Sequence, residues 1–263
     1  MKLKIISAYK ESKKSVLIVY LLLRFLVIVT LIRQAIIGNY DNVFSCFLTL
    51  ILFVMPFLLT KMFKIEFPSL MEIIILLFIF SAEILGEIQN FYGIFSYWDT
   101  ILHTINGFIC AGIGFSLIDL LNNNESIKLN LSPFFLSLVA FCFSMTIGVL
   151  WEFFEYGIDK VFLMDMQKDR VVDIVSSVSL NEEKVNKPII VDNIEKSYII
   201  TTDDLLIIEN GYLDIGLNDT MEDLIVNFIG ALIFCFFGFL YVNNREKYKF
   251  TENFIVKKSK KEK

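Results

Sequence analysis

At 263 residues the chain is 56% hydrophobic, 15% aromatic and only 20% charged, with a mean hydropathy of +0.63. This excludes an ordinary soluble domain, which does not need several uncharged stretches each as long as the bilayer is thick, about 20 residues of helix. Collagen-like, disordered and disulfide-scaffold chains are excluded too, and the net charge of −5 says little until it is divided between two membrane sides.

Uninterrupted apolar runs predict an all-α polytopic membrane protein with six transmembrane helices, at 16–38, 42–60, 69–89, 100–121, 133–158 and 221–242. The runs are continuously apolar and of helix length, which argues against a β-barrel. The first follows a basic stretch as a signal peptide does, but it is too long and lacks a small-residue cleavage site, so it reads as a retained anchor. Lys2, Lys4, Lys10, Lys13 and Lys14 precede helix one, and Lys61 with Lys64 follow helix two. The C-terminal stretch adds Arg245, Lys247, Lys249, Lys257, Lys258, Lys260, Lys261 and Lys263, whereas the connection 88–98 has no basic residue. The bias predicts both termini in the cytoplasm, consistent with six spans. The domain reading is a transmembrane domain over 1–242 and a basic cytoplasmic tail over 243–263.

The connection 159–220 then lies outside, with six basic against thirteen acidic residues. Its β-type runs at 187–191, 197–201 and 205–208, with Asn210-Gly211 as a hairpin turn, predict a small extracytoplasmic β-cap. Cys46, Cys110, Cys142 and Cys235 all fall inside spans and read as small apolar residues. That leaves no disulfide or structural zinc ribbon for the cap. Only Pro56 interrupts a helix, near its cytoplasmic end, and no span shows the mid-membrane break common in transporters.

Ionisable groups inside a span are costly, so their positions carry information. Helix three ends with Glu83 and Glu87, and helix four starts with Asp99 and His103. Helix five ends in Trp151, Glu152 and Glu155 with Asp159 beyond, and helix six starts with Asp219, Asp223 and Asn227. All four sets fall at one membrane face. Residues three or four apart share a helical face, giving the stripes Asp99, His103, Gly107, Ala111, Gly114, then Ser144, Gly148, Glu152, Glu155, Asp159, and Asp219, Asp223, Asn227, Gly230 or Ala231, then Gly238. Small residues let backbones approach closely deep in the bilayer, which should bring the polar ends together near its surface.

Three readings of this cluster stay open. His103 with Glu152, Glu155, Asp223 or Asp99 can supply one imidazole and several oxygens to Mn²⁺, Mg²⁺ or a carboxylate-rich Zn²⁺ site. The single histidine excludes three-His and H-E-x-x-H centres. Crowded carboxylates around an imidazole also suit proton transfer. A neutral network of these groups with Asn227, Asp219, Glu83 and Glu87 can simply hold helices together.

Individual residues have plainer roles to set against these. Asp99 and Asp219 stand where helix N-caps belong, with Asp219-x-x-Glu222 a capping-box pattern. Glu83, Glu87 and Asp159 can reach the headgroups, and Arg33 can snorkel there or face the cluster as a counter-ion. Arg24, about two turns into helix one, is placed to pair with Glu72, although Ser69-x-x-Glu72 is also a capping box.

Asp99-x-x-x-His103-x-x-x-Gly107, Trp151-Glu152-x-x-Glu155 and Asp219-Thr220-x-x-Asp223-x-x-x-Asn227-x-x-Gly230-Ala231, in that order, resemble the YjdF-like bacterial inner-membrane proteins over about 70–242, without most of the acidic loop. More distantly they are similar to VanZ-like proteins, linked with glycopeptide resistance, although Glu155 stands where that pattern has Gln. The resemblance implies a bacterial plasma-membrane setting and names no reaction. Function is therefore open between a metal-dependent protein binding or acting on a cell-envelope ligand, an ion or proton transporter or channel, and a non-catalytic protein whose polar network supports the fold or which binds a partner through its outer loop. Membrane lipid is the one partner implied. Nucleic-acid binding has no support, since the basic residues are explained by orientation and anionic headgroups, and no phosphate-binding glycine pattern is present.

Overall fold

The computed structural model describes residues 2–122, 129–183 and 185–258, with side chains from Lys13 onward. Lys260, Lys261 and Lys263 lie outside the described residues, as do the side chains of Lys2, Lys4 and Lys10. The chain forms two compact units, Met1–Leu150 with Asp223–Lys263, and Trp151–Glu222. Among the described residues six helices are long and apolar enough to cross a membrane, and strands lie between the fifth and sixth, so the protein is a polytopic, multi-pass membrane protein.

In the first unit α1 (Lys2–Ile37) carries the basic N-terminal stretch and the first span on one helix. Gly38, at φ +82°, ends it, with its N–H on the Gln34 carbonyl at 3.0 Å. α2 (Tyr40–Leu52) starts from Asn39, whose side chain accepts the Asn42 N–H at 3.1 Å. The second span then breaks at Phe53–Val54 and resumes as α3 (Met55–Phe63). Pro56 has no N–H and cannot continue an α-helical ladder, and the break falls near the middle of the span rather than at its end.

The two-residue strand β1 (Ile65–Glu66) leads to α4 (Ser69–Phe80), which runs straight on as a π-helix over Ser81–Ile88. Apolar periodicity does not separate α from π winding, so the sequence carried no sign of it. A short α5 (Phe91–Ile94) precedes α6 (Trp98–Asn122), and α7 (Pro133–Phe162) follows. α8 (Leu217–Asn243) is the sixth spanning helix. Leu21, Phe25, Leu232 and Phe236 are among the many large apolar side chains left exposed, as a lipid-facing surface requires.

The apolar core has three parts. Val27, Cys46, Phe53 and Leu76 join α1, the broken span and α4. Ala111, Phe115, Leu136, Ala231 and Phe234 join α6, α7 and α8. The third part contains the C-terminal segment, which folds back instead of hanging free. After a 3₁₀ turn at Lys249–Phe254, Val256 packs with Phe67, Met71 and Ile109, and Ile255 joins the second group. The Val256 N–H donates to Ser116 Oγ at 2.7 Å, and the last strand (Lys257–Lys258) pairs antiparallel with β1.

In the second unit, β2 (Arg170–Val172), β3 (Val175–Ser177), β4 (Ile189–Val191), β5 (Lys196–Ile200), β6 (Leu205–Glu209) and β7 (Tyr212–Asp214) form three separate two-stranded antiparallel sheets. β2 pairs with β7, β3 with β4 and β5 with β6. β4, β5 and β6 match the three predicted runs closely, whereas β2, β3 and β7 were not predicted, and Asn210-Gly211 does not close a hairpin. It passes the chain from β6 to β7 while Asn210 N–H bonds the Glu195 carbonyl at 2.7 Å and β7 goes on to pair with β2. The β5–β6 hairpin turns instead through Thr201–Asp204, where Asp204 N–H meets Thr201 Oγ1 at 2.8 Å.

Candidate metal centre

α6 begins at Trp98, whose indole N–H donates to the Ser81 carbonyl at 3.3 Å, at the start of the π-helical stretch. One residue on, Asp99 opens the polar stripe, and His103 follows a turn later on the same face. His103 Nε2 lies 3.4 Å from Asp99 Oδ1 and 3.7 Å from Asp223 Oδ2. One ligand atom from each of the three residues lies within 4.8 Å of the others. Asp223 is only 3% exposed, while Asp99 and His103 are half-buried.

The approach of α6 and α8 sets this geometry. A Cβ on Gly107 would sit 2.0 Å from the Asn227 carbonyl oxygen, and one on Gly230 would sit 2.0 Å from the Thr104 carbonyl oxygen. Only glycines permit backbones this close. Polar groups lock the crossing: Ser144 Oγ donates to the Gly107 carbonyl at 2.8 Å, and Asn106 Nδ2 donates to Asn227 Oδ1 at 3.2 Å. Asn227, 1% exposed, also points Nδ2 at the Met145 sulfur, 3.6 Å away. Asp223 is one turn before Asn227 on α8, so the crossing fixes its carboxylate beside His103.

One imidazole nitrogen and two carboxylate oxygens on rigid helices form a donor set suited to a divalent ion such as Mn²⁺ or Mg²⁺, and the imidazole admits Zn²⁺. Of the five residues predicted as ligands, Asp99, His103 and Asp223 converge. Glu152 and Glu155 belong to the second unit, both buried, with Glu155 Oε1 accepting the Trp151 indole N–H at 2.8 Å.

Several plainer roles are corrected. Asp219 does not cap α8. Its carboxylate accepts the Lys168 N–H at 2.9 Å and meets Arg170 at 3.3 Å, while Glu222 takes the other arm of Arg170 at 2.6 Å. The cap is Asp214, whose two oxygens accept the Leu217 and Asn218 N–H groups at 2.9 Å each. Asp99 lies inside the first turn of α6, not before it. Asp159, expected among headgroups, closes the turn after α7 by accepting the Met166 and Gln167 N–H groups at 2.6 and 2.8 Å. Glu83 is 3% exposed on the π-helical stretch, so it does not reach out to headgroups, and Glu87 is half-buried there. Glu72 pairs with Lys13 at 3.0 Å, not with Arg24. Arg33 is exposed and forms no ion pair with any described residue.

Asn106 was missed. Its place beside Gly107 was the only hint, since a lone asparagine in a span carries no partner in its spacing. In the insertion, burial and the carboxylates of Asp165, Asp214, Asp159 and Asp219 push the Asp169 carboxyl above its ordinary range. Burial pushes Asp214 the same way, but the Asn218 and Leu217 N–H groups and the Asn218 amide outweigh it and hold Asp214 below that range.

No curated protein and no solved structure matches the chain. A family model described as DUF2238, predicted membrane protein, matches residues 17–244, a stretch that holds all six spans from Leu17 onward, the strand-bearing insertion and the Asp99–His103–Asp223 group. With nearly the whole chain matched, the protein belongs to the DUF2238 family of predicted membrane proteins.

Proposed function

We propose that the protein is a bacterial plasma-membrane protein that binds a divalent metal ion through Asp99, His103 and Asp223, and uses it to hold or act on a cell-envelope ligand. The observation that carries this reading is the convergence of three ligand atoms within 4.8 Å from two helices locked by a glycine crossing. The lysine bias of Lys13, Lys14, Lys61 and Lys64 supports cytoplasmic termini and an outward-facing site. The resemblance of the motif order to YjdF-like and, more distantly, VanZ-like proteins supports an envelope setting. Two carboxylates alone would repel a phosphate-bearing envelope ligand, so an ion held by Asp99, His103 and Asp223 would supply the attraction and, as a Lewis acid, would polarise a bound oxygen. Titration of purified protein with Mn²⁺ followed by electron paramagnetic resonance tests it. Saturable binding near one ion per chain, lost in His103→Ala, is expected. Binding of equal strength in the variant contradicts it.

A second reading, partner binding through the insertion, is favoured by one observation. The β5–β6 hairpin leaves Tyr198, Ile199, Ile200, Leu205, Leu206 and Ile207 all exposed, and a two-stranded hairpin of this kind is marginal on its own. Replacing Ile200 and Leu206 with Thr is expected to leave Mn²⁺ binding unchanged and to abolish any co-purifying partner. Loss of Mn²⁺ binding in that variant counts against two separate roles.

A further inference from the structure

We infer that the cleft between α1, the broken second span and the start of α4 binds one anionic phospholipid from the leaflet nearest the N-terminus. The cleft, about 460 Å³, is lined by Lys13, Tyr20, Arg24, Pro56, Phe57 and Glu72 among others. Phe53 and Val54, where the second span breaks between α2 and α3, stand on its wall.

Arg24 is the reason a ligand is needed. It stands eleven residues beyond Lys13, about 16 Å along the helix axis, and it is exposed. Its guanidinium donates to the Tyr20 hydroxyl and lies 5.7 Å from the centroid of that ring. Among the described residues no carboxylate lies within ion-pair distance of it, because Glu72, the nearest candidate by sequence, is held by Lys13 at 3.0 Å. A cation at this depth facing hydrocarbon is unfavourable without an anion or water beside it. Its side chain leans back toward the N-terminus, the direction from which a headgroup enters.

The charge and the shape specify the occupant. Lys13 and Glu72 cancel, leaving the single positive charge of Arg24, which matches the single negative charge of a phosphodiester. Leu17 and Phe57, both more than half exposed, continue the cleft onto the lipid-facing surface where acyl chains lie. A free phosphate would satisfy Arg24 and leave those apolar walls bare. The site shares no residue with the Asp99–His103–Asp223 group and stands or falls independently of it.

Native mass spectrometry of the purified full-length protein, titrated with phosphatidylglycerol or phosphatidylcholine, tests the inference. Phosphatidylglycerol is expected to bind in preference, one molecule most tightly, and Arg24→Gln to weaken it about fivefold while leaving phosphatidylcholine unchanged. Glu72→Gln releases Lys13 as a second cation and is expected to tighten phosphatidylglycerol, a direction that general damage to the fold would not produce. Should Arg24→Gln fail to fold, the Glu72→Gln result decides: unchanged or weaker binding overturns the proposal. Equal binding of the two lipids overturns it, as does a preference that survives Arg24→Gln. Displacement of phosphatidylglycerol by millimolar inorganic phosphate would assign the cleft to a soluble anion instead.

Discussion

Gly107 and Asn227 meet backbone to backbone: a Cβ on Gly107 would lie 2.0 Å from the Asn227 carbonyl oxygen. The atom in the way is backbone and cannot rotate aside, so any side chain at 107 pushes α6 and α8 apart. Gly107→Ala is therefore expected to destabilise the protein by about 1–3 kcal/mol, and Gly107→Val by more. Thermal unfolding in a fixed detergent checks this. Because Asp223 sits one turn from Asn227, the same variants should also weaken metal binding.

The C-terminal segment gives a second prediction. Ser116 Oγ accepts the buried Val256 N–H at 2.7 Å and donates to the Gly112 carbonyl at 2.6 Å. Ser116→Ala leaves that N–H without its acceptor, at a cost of about 1–3 kcal/mol concentrated on this segment. Hydrogen exchange is expected to accelerate over 249–258 with little change in α1 and α2. Uniform protection across the variant would show that the hydroxyl does not hold the segment.

Much of this architecture was legible in the sequence. Bilayer-length apolar runs placed all six spans to within a few residues, apart from the basic extension of α1, because the hydrocarbon core dictates length. Spacing found Asp99 with His103, and one turn of helix linked Asp223 to Asn227. Tertiary choices were hidden. Helix depth paired Arg24 with Glu72, and packing chose Lys13 instead. The segment around Val256 is too short and too rich in flanking lysines to announce burial. Asp219 was read as the cap because the apolar run begins after it, but α8 starts earlier, at Leu217, and Asp214 caps it.

The insertion carries opposing pH effects. The Asp214 carboxyl is held below its ordinary value in the fold, so its stabilisation is present above the unfolded value of about 3.9 and lost as pH falls through the lower, folded value. Asp169 is raised, so its contribution is present below about 3.9 and lost as pH rises through its folded value. Asp214→Ala should therefore destabilise the insertion at neutral pH by about 1 kcal/mol, the cost of a lost cap. Asp169→Asn should stabilise it there and lose that advantage in acid. Thermal scans from about pH 7 to about pH 3 read both slopes.

Whether Asp99, His103 and Asp223 hold a metal ion is read by elemental analysis of purified protein beside His103→Ala and Asp223→Ala. Folding of each variant is verified by thermal melt. Close to one divalent ion per wild-type chain is expected, taken up again when Mn²⁺, Mg²⁺ or Zn²⁺ is added back after chelation, with little in either folded variant. Folded wild type that holds no ion after each metal is supplied, or variants that retain full metal content, would contradict it.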